Sequence, residues 1–401
     1  MKRILKTAAA LLSGALLLVG LPAMTAAAEL GYSEDGVWSY NDYGDGVVGV
    51  SLTDKTVSGT VEVPERINGL TVTMIDVDCF NGCENMTAVK LPDTITVIDD
   101  YSFFGCTALQ ELKIPASVQK IGMKAFYNCS SVEAFQIPAG TTEIGDFAFE
   151  GCSALKEIDV ADTNAQYKDE DGILFDIDGT KIILYPSQKQ EEHYTLPEGC
   201  TAIADYAFIG NTHLKTVDIH QVTELGRDAF YYCTSLQSAE IPDGIKILDG
   251  SVFGNCTSLE TVKLPQDLEE IGEGCFYACM ALREIEVPET VTKIGSYAFF
   301  NCPLLKSIRL TEHVTEIGNY ALGFYYSDGE KLEKIPGFEV DADNGTKAFT
   351  YCVDNSIKCT GGVTQSSVFV IIILGIVGLV IVITIVLVIM QSRIRKRHEL
   401  N

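Results

Sequence analysis

Apolar residues recur along this chain with a spacing that belongs neither to one helix nor to one strand. The phrase Ile114-Pro115, Val118, Ile121-Gly122, Ala125-Phe126, Cys129, Val132 returns about every 23 residues, and Pro92, Pro115 and Pro138, then Pro242, Pro265 and Pro288, keep the interval. An Ala-Phe step recurs at Ala125-Phe126, Ala148-Phe149, Ala207-Phe208, Ala229-Phe230 and Ala298-Phe299, with variants at Ser102-Phe103, Val252-Phe253 and Cys275-Phe276. A unit this small cannot bury its own apolar face, so the pattern predicts a solenoid in which each coil packs on the next around one continuous core. Within a coil, Leu109, Leu112 and Ile114, stopped by Pro115, predict one short parallel strand. Val118 and Ile121 predict the next inward-facing pair, and the phenylalanines fill the far side. Ten or eleven coils at about 4.8 Å each make a body roughly 50 Å long.

One interval is long. After Val160 the next proline of the series is Pro197, and the residues between read as a hairpin, with Gly172-Ile173-Leu174-Phe175 and Lys181-Ile182-Ile183-Leu184-Tyr185 about the turn Asp178-Gly179. The expectation is an insertion over residues 162–196 that bulges from the array without breaking the register on either side. Asp176-Ile177-Asp178-Gly179 has the flavour of a calcium loop. Its glycine falls too early and no glutamate closes the loop, so no metal is assigned there.

Both ends depart from the repeat. Met1-Lys2-Arg3-Ile4-Leu5-Lys6, an apolar run from Ala8 to Leu21 and Ala26-Ala27-Ala28 have the three-part order of a secretory signal, residues 1–28. From Val368 to Met390 only Thr384 is polar, and Arg393, Arg395, Lys396 and Arg397 follow. At about 1.5 Å per residue this run spans roughly 35 Å, enough for one membrane crossing with the basic flank inside. The expected organisation is a signal peptide (1–28), an N-terminal β cap (29–60), repeats (61–335), a C-terminal cap (336–362), a transmembrane anchor (363–391) and a basic cytoplasmic tail (392–401). That is a single-pass plasma-membrane protein with its N-terminal domain outside.

Charge sharpens this division. The chain of 401 residues has 29 basic and 55 acidic side chains, net −26. The signal holds three of the bases and the tail four, with one acid, which leaves 22 bases and 54 acids, net −32, on the outside. So acidic a surface excludes nucleic acid as a partner, because phosphate binding needs positive charge.

Thirteen cysteines in an exported chain suggest a disulfide framework, but their spacing argues otherwise. Cys83, Cys106, Cys129 and Cys152 are 23 residues apart, as are Cys233, Cys256, Cys279 and Cys302, and Asn211 holds the same place in its coil. Adjacent copies lie near 5 Å apart with parallel side chains, a poor disulfide geometry, so this row is expected to be buried core. Cys352 and Cys359 are the best candidates for a disulfide, since they close a short loop before the apolar run.

The phrase Ile114-Pro115-x-x-Val118-x-x-Ile121-Gly122-x-x-Ala125-Phe126-x-x-Cys129-x-x-Val132 resembles the repeat of the BspA-like leucine-rich repeat family of bacterial surface proteins. The insertion, from Tyr167 through Asp171-Gly172-Ile173-Leu174-Phe175 to Tyr185-Pro186, is similar to a hairpin often found in that family. The segment Ile335-Pro336-Gly337-Phe338 with Gly345-Thr346-Lys347-Ala348-Phe349 resembles its C-terminal cap, whose short helix would start at Thr346. The likeness covers about Trp38 to Cys359. It implies a leucine-rich repeat solenoid of the α/β type, with short parallel strands and short helical or 3-10 turns. Cysteine alternating with asparagine at one repeat position fits the same likeness. The function it implies is adhesion at the cell surface to host proteins, partner cells or matrix.

Catalysis finds no support in the residues. His193, His213, His220, His313 and His398 form no sequence pairing with a nucleophile, and no nucleophile elbow, phosphate loop or zinc spacing is present. The chain is expected to be no enzyme and to hold no cofactor. The residue two before each proline position of the repeat faces outward: Lys90, Lys113, Gln136, Asp159, Asp218, Glu240, Lys263, Glu286 and Arg309. This row reads either as solvated positions that deter lateral sheet pairing or as a graded strip for an extracellular protein or glycan ligand. Two functions stay open: a membrane-anchored adhesin, and a structural envelope scaffold that holds another membrane or wall component.

Overall fold

Two rows of short parallel strands follow the coils, because most coils contribute one strand to each row, and the rows are divided into several sheets. On the inner ladder Lys120 pairs with Val97 behind it and Glu143 ahead, and Ile121 lies between Ile98 and Ile144. On the outer ladder Ala134–Ile137 pairs with Glu157–Val160, and Ser238–Glu240 with Thr261–Lys263. Partners are 23 residues apart in each case, so the sequence period is the length of one coil. The computed structural model describes residues 29–44, 46–327 and 331–361. The expected signal (1–28), anchor (363–391) and tail (392–401) lie outside them. Among the described residues no helix is long and apolar enough to cross a membrane.

The chain winds through about 13 turns. This exceeds the ten or eleven that the repeat phrase counts, because Gly59–Glu62 precedes it and Glu339–Asp341 and Lys358–Cys359 extend the outer ladder after it.

The far side of each coil is a run of hydrogen-bonded turns and not the short helix or 3-10 segment that the family likeness implies. Left-handed residues are the reason: Tyr101, Lys124 and Asn128 have φ of 58°, 53° and 58°. Their N–H groups are turned out of the coil, and those of Tyr101, Lys124 and Asn128 donate to Met123, Asp146 and Glu150 of the next coil at 2.9, 3.0 and 2.7 Å. Among the described residues the one helix is Lys347–Asn355, where Thr346 caps the first turn by accepting the Phe349 N–H. Glycine after the inner strand is a packing requirement. A Cβ on Gly145 would lie 2.4 Å from the Met123 nitrogen, and one on Gly122 2.5 Å from that of Asp100.

Beneath the turns the phenylalanines form columns. Phe80, Phe103, Phe126 and Phe149 stack at centroid separations of 4.8, 5.2 and 5.9 Å. A second column runs from Tyr185 through Phe208, Phe230, Phe253 and Phe276 to Phe299. Trp38, from an antiparallel N-terminal meander, meets Phe80 edge-on at 6.0 Å and covers the first coil.

The structure places Cys83, Cys106, Cys129, Cys152, Asn211, Cys233, Cys256, Cys279 and Cys302 in the core. Each thiol from Cys106 onward donates to a carbonyl of the preceding coil, for example Cys129 to Phe103 at 3.2 Å and Cys256 to Phe230 at 3.1 Å. Asn211 does the same work with an amide, donating to Pro186 and Lys189 carbonyls and accepting the His213 and Leu214 N–H groups. Cys352 and Cys359 are both free thiols in contact with each other, not a disulfide.

The insertion does not bulge from an intact array. Tyr167–Glu170, Ile173–Asp176 and Lys181–Leu184 form an antiparallel triplet whose last strand enters the inner ladder, pairing Lys181 with Ala202 and Ile182 with Ile203. The strand Ile173–Asp176 divides the core. Leu174 packs with the N-terminal coils, and Ile173 and Phe175 with the C-terminal ones. The hairpin therefore serves as a coil in its own right, because Ile182 and Tyr185 supply the core positions that a repeat would supply.

Two outcomes test this packing. Phe126→Ala removes one ring from the middle of a column and should cost on the order of 3 to 5 kcal/mol in urea denaturation. Burial pushes the thiols of Cys152, Cys233 and Cys302 up to about 12. They should therefore resist iodoacetamide at pH 8 in the folded protein and label fully once it is denatured.

Candidate functional site

The outward row is exposed at all nine positions, but the insertion splits it. Lys90, Lys113, Gln136 and Asp159 lie on one side, and Asp218, Glu240, Lys263, Glu286 and Arg309 on the other. Gln136 faces Asp159 across the ladder, and Glu286 stands outside any strand. Several of the charges are already matched. Lys90 pairs with Glu62 and Lys263 with Glu240, and Asp218 bonds His220 at 2.7 Å. A neighbouring row repeats the device, with Lys156 to Glu133 and Lys215 to Glu192 both at 2.7 Å. Such exposed pairs each contribute about 0 to 1 kcal/mol. They also use up charge that a ligand would have to recruit.

A concave site arises elsewhere, from a difference in length. In regular coils five residues lead from the inner-strand isoleucine to the buried ring, as from Ile121 to Phe126 and from Ile203 to Phe208. In the insertion coil only three lead from Ile182 to Tyr185. The coil takes a shortcut and lacks the outer turn. Between residues 144–150 and 203–209 this leaves a cleft of about 620 Å³, lined also by Tyr167, Lys181, Ile183, Leu184, Glu224, Leu225 and Gly226.

The missing turn breaks the backbone ladder at the cleft walls. On one side Lys124, Phe126 and Asn128 donate to Asp146, Ala148 and Glu150. On the other Tyr206, Phe208 and Gly210 donate to Arg227, Ala229 and Tyr231. Across the insertion only one such bond remains, Tyr185 N–H to Ala207 carbonyl at 2.7 Å. The N–H groups of Phe147 and Phe149 and the carbonyls of Ile144, Asp205 and Ile209 have no partner among the described residues. The hairpin closes part of the gap. The Tyr167 hydroxyl accepts the Ile144 N–H at 3.0 Å, and Asp169 and Gly172 accept the N–H groups of Val160 and Ile158.

Phe147 and Tyr206 bridge the two walls edge-on at 4.7 Å, and the Lys124 ammonium lies 5.2 Å from the Phe147 ring. Asp146, Glu150, Asp205 and Glu224 line the cleft against Lys181. Burial pushes the Glu150 carboxyl up, partly offset by Lys124. Burial, with a hydrogen bond to Asp228, also raises the Tyr206 phenol. Among the described residues no group of three or more histidine, cysteine, aspartate or glutamate side chains is placed to hold a metal. Among the described residues the histidines sit in surface contacts, such as His193 with Thr216 and His313 with the Glu289 carbonyl.

The model of the BspA type leucine rich repeat region matches residues 71–170, 185–304 and 223–356, in six copies. The chain belongs to this family. Among solved structures it is similar to the pneumococcal vaccine antigen PcpA, at 19% identity over 84% of this chain and 99% of that one, with a TM-score of 0.51. It is also similar to a leucine-rich repeat protein of Eubacterium ventriosum, at 24% identity over 68% and 95% with a TM-score of 0.45. A leucine rich cell surface protein of Faecalibacterium prausnitzii matches at 20% identity over 83% and 98% with a TM-score of 0.41. No curated protein matches the chain. Within this BspA-type solenoid the cleft was not singled out from the sequence, although its signal is there: Ile182-Ile183-Leu184-Tyr185 lacks the Gly-x-x-Ala-Phe of its neighbours.

Tyr167→Phe tests how the gap is held. Losing the hydroxyl leaves the Ile144 N–H without its acceptor and should lower stability by about 1 kcal/mol in denaturant titration, with no change in the fold.

Proposed function

We propose that this chain is a membrane-anchored cell-surface protein that binds protein or glycan ligands on a rigid solenoid. The observation that carries the reading is the cleft at the insertion. The ladders on both flanks close coil on coil, whereas here unpaired backbone groups and an apolar floor stay open to a guest. A body serving only as a spacer has no use for such an opening. Ligand sites of this kind are concave, mostly apolar and within about 300 to 1,000 Å³, which the cleft satisfies. The leader and the apolar run before the basic tail support display outside a single-span anchor. A dense negative charge on the repeats keeps crowded copies apart.

Display on a non-adherent bacterium tests the reading. Cells carrying the full chain should be retained on immobilised protein or glycan arrays, protease should strip the repeats from intact cells, and deletion of residues 363–391 should release the protein to the medium. Equal retention of cells lacking the chain, with a stoichiometric partner from the same envelope recovered by cross-linking, would favour a structural scaffold instead.

A further inference from the structure

The cleft has the outline of a missing piece of polypeptide. In each regular coil the outer turn presents N–H groups at alternate residues to carbonyls of the coil ahead, as Lys124 and Phe126 do to Asp146 and Ala148. Phe147 and Phe149 repeat this arrangement with nothing ahead of them. The carbonyls of Asp205 and Ile209 wait on the facing wall, on either side of the one that Tyr185 occupies. The insertion coil is two residues short between Ile182 and Tyr185, so the Phe147 N–H and the Asp205 carbonyl are the groups that two further backbone units would meet. A sugar or a lipid chain does not offer amide donors and acceptors at that alternation, whereas a peptide does.

Charge selects among peptides. The lining carries Asp146, Glu150, Asp205 and Glu224 against Lys181. Lys124 is drawn to the rings of Tyr127 and Phe147, and Arg227 at the back is paired with Asp249. Asp146 and Glu224 are exposed and form no ion pair among the described residues. Ile183, Leu184 and Leu225 supply apolar contact below.

We propose that the cleft between the coils of Ile144–Glu150 and Ile203–Ile209 docks a short basic segment of a partner protein, whose backbone completes the outer turn that the insertion leaves out. This rests on the ligand-binding reading above and names the chemistry of the ligand. The guest's carbonyls accept from Phe147 and Phe149, its N–H donates to the Asp205 carbonyl on the open side of Tyr185, and an arginine or lysine side chain lies against Asp146 and Glu224. Phe147 and Tyr206, in edge contact across the opening, swing apart to admit it.

The test uses the full-length chain in detergent micelles and a capped peptide of about eight alternating arginine and valine residues, with binding read by fluorescence anisotropy. Binding should be saturable, about ten-fold weaker or more when alternate amides of the peptide are N-methylated, and comparably weaker in the variant Asp146→Lys/Glu224→Lys, a loss equivalent to about 1.4 kcal/mol. The Glu240→Lys variant, on the outward row, should bind as the parent does. Absence of binding, indifference to N-methylation, indifference to the Asp146 and Glu224 changes, or displacement by a neutral oligosaccharide would overturn the proposal. Circular dichroism and urea titration of each variant show whether the fold is kept. If cells bearing the Asp146→Lys/Glu224→Lys chain are still retained on the arrays, ligand binding stands and only the cleft assignment falls. If parent cells are not retained either, both fall.

Discussion

Backbone hydrogen bonds between coils set the terms for everything else in this molecule. Two ladders of parallel strands and a third line of bonds through the outer turns hold successive coils in one register. Most buried side chains then meet their own copy one coil away. The columns of phenylalanine, the row of thiols beneath them and the glycines that let backbones approach all follow from that register. A coil contributes little alone, and its core exists only because the next coil repeats it. Stability is therefore built from neighbour contacts, and any coil of different length must either be repaired or leave a gap.

The insertion does both. Its last strand enters the inner ladder, Tyr185 takes the place of a phenylalanine and stacks on Phe208 at 5.0 Å, and the Tyr167 hydroxyl replaces one lost backbone acceptor. What is not repaired is the outer turn, because three residues cannot span what five span in the coils on either side. The cleft, its unpaired backbone groups and its acidic rim are thus consequences of chain length at one coil. The binding role proposed for the protein grows from the same constraint that makes it rigid.

Much of this is legible in the sequence. The 23-residue period predicted the solenoid, and the spacing of the cysteines predicted one buried row where the composition suggested a disulfide framework. Thr346 marked the start of the terminal helix. The outward row was found too, since strand alternation alone puts Lys90 or Glu240 on the surface. Its internal pairing was not visible, because that depends on which charges face each other across coils. The family likeness implies helical turns, and the left-handed residues Tyr101, Lys124 and Asn128 overturn this, since no local propensity announces them. The sequence shows the insertion as a hairpin but not its place within the array. The spacing of the prolines does not show that Ile182 and Tyr185 fall in phase with the core while the residues between them fall two short.

The outer ladder is intact through the coil of Phe126 and open at the coil of Phe149. Amide hydrogen exchange of the intact chain measures this directly. The N–H groups of Phe126 and Phe208, bonded to Ala148 and Ala229 at 2.8 Å, should be among the slowest to exchange. Those of Phe147 and Phe149 should exchange far faster despite lying in the same fold and beside the same core. Equal protection at Phe126 and Phe149 would mean that the outer ladder continues across the insertion, and the cleft would not exist as described.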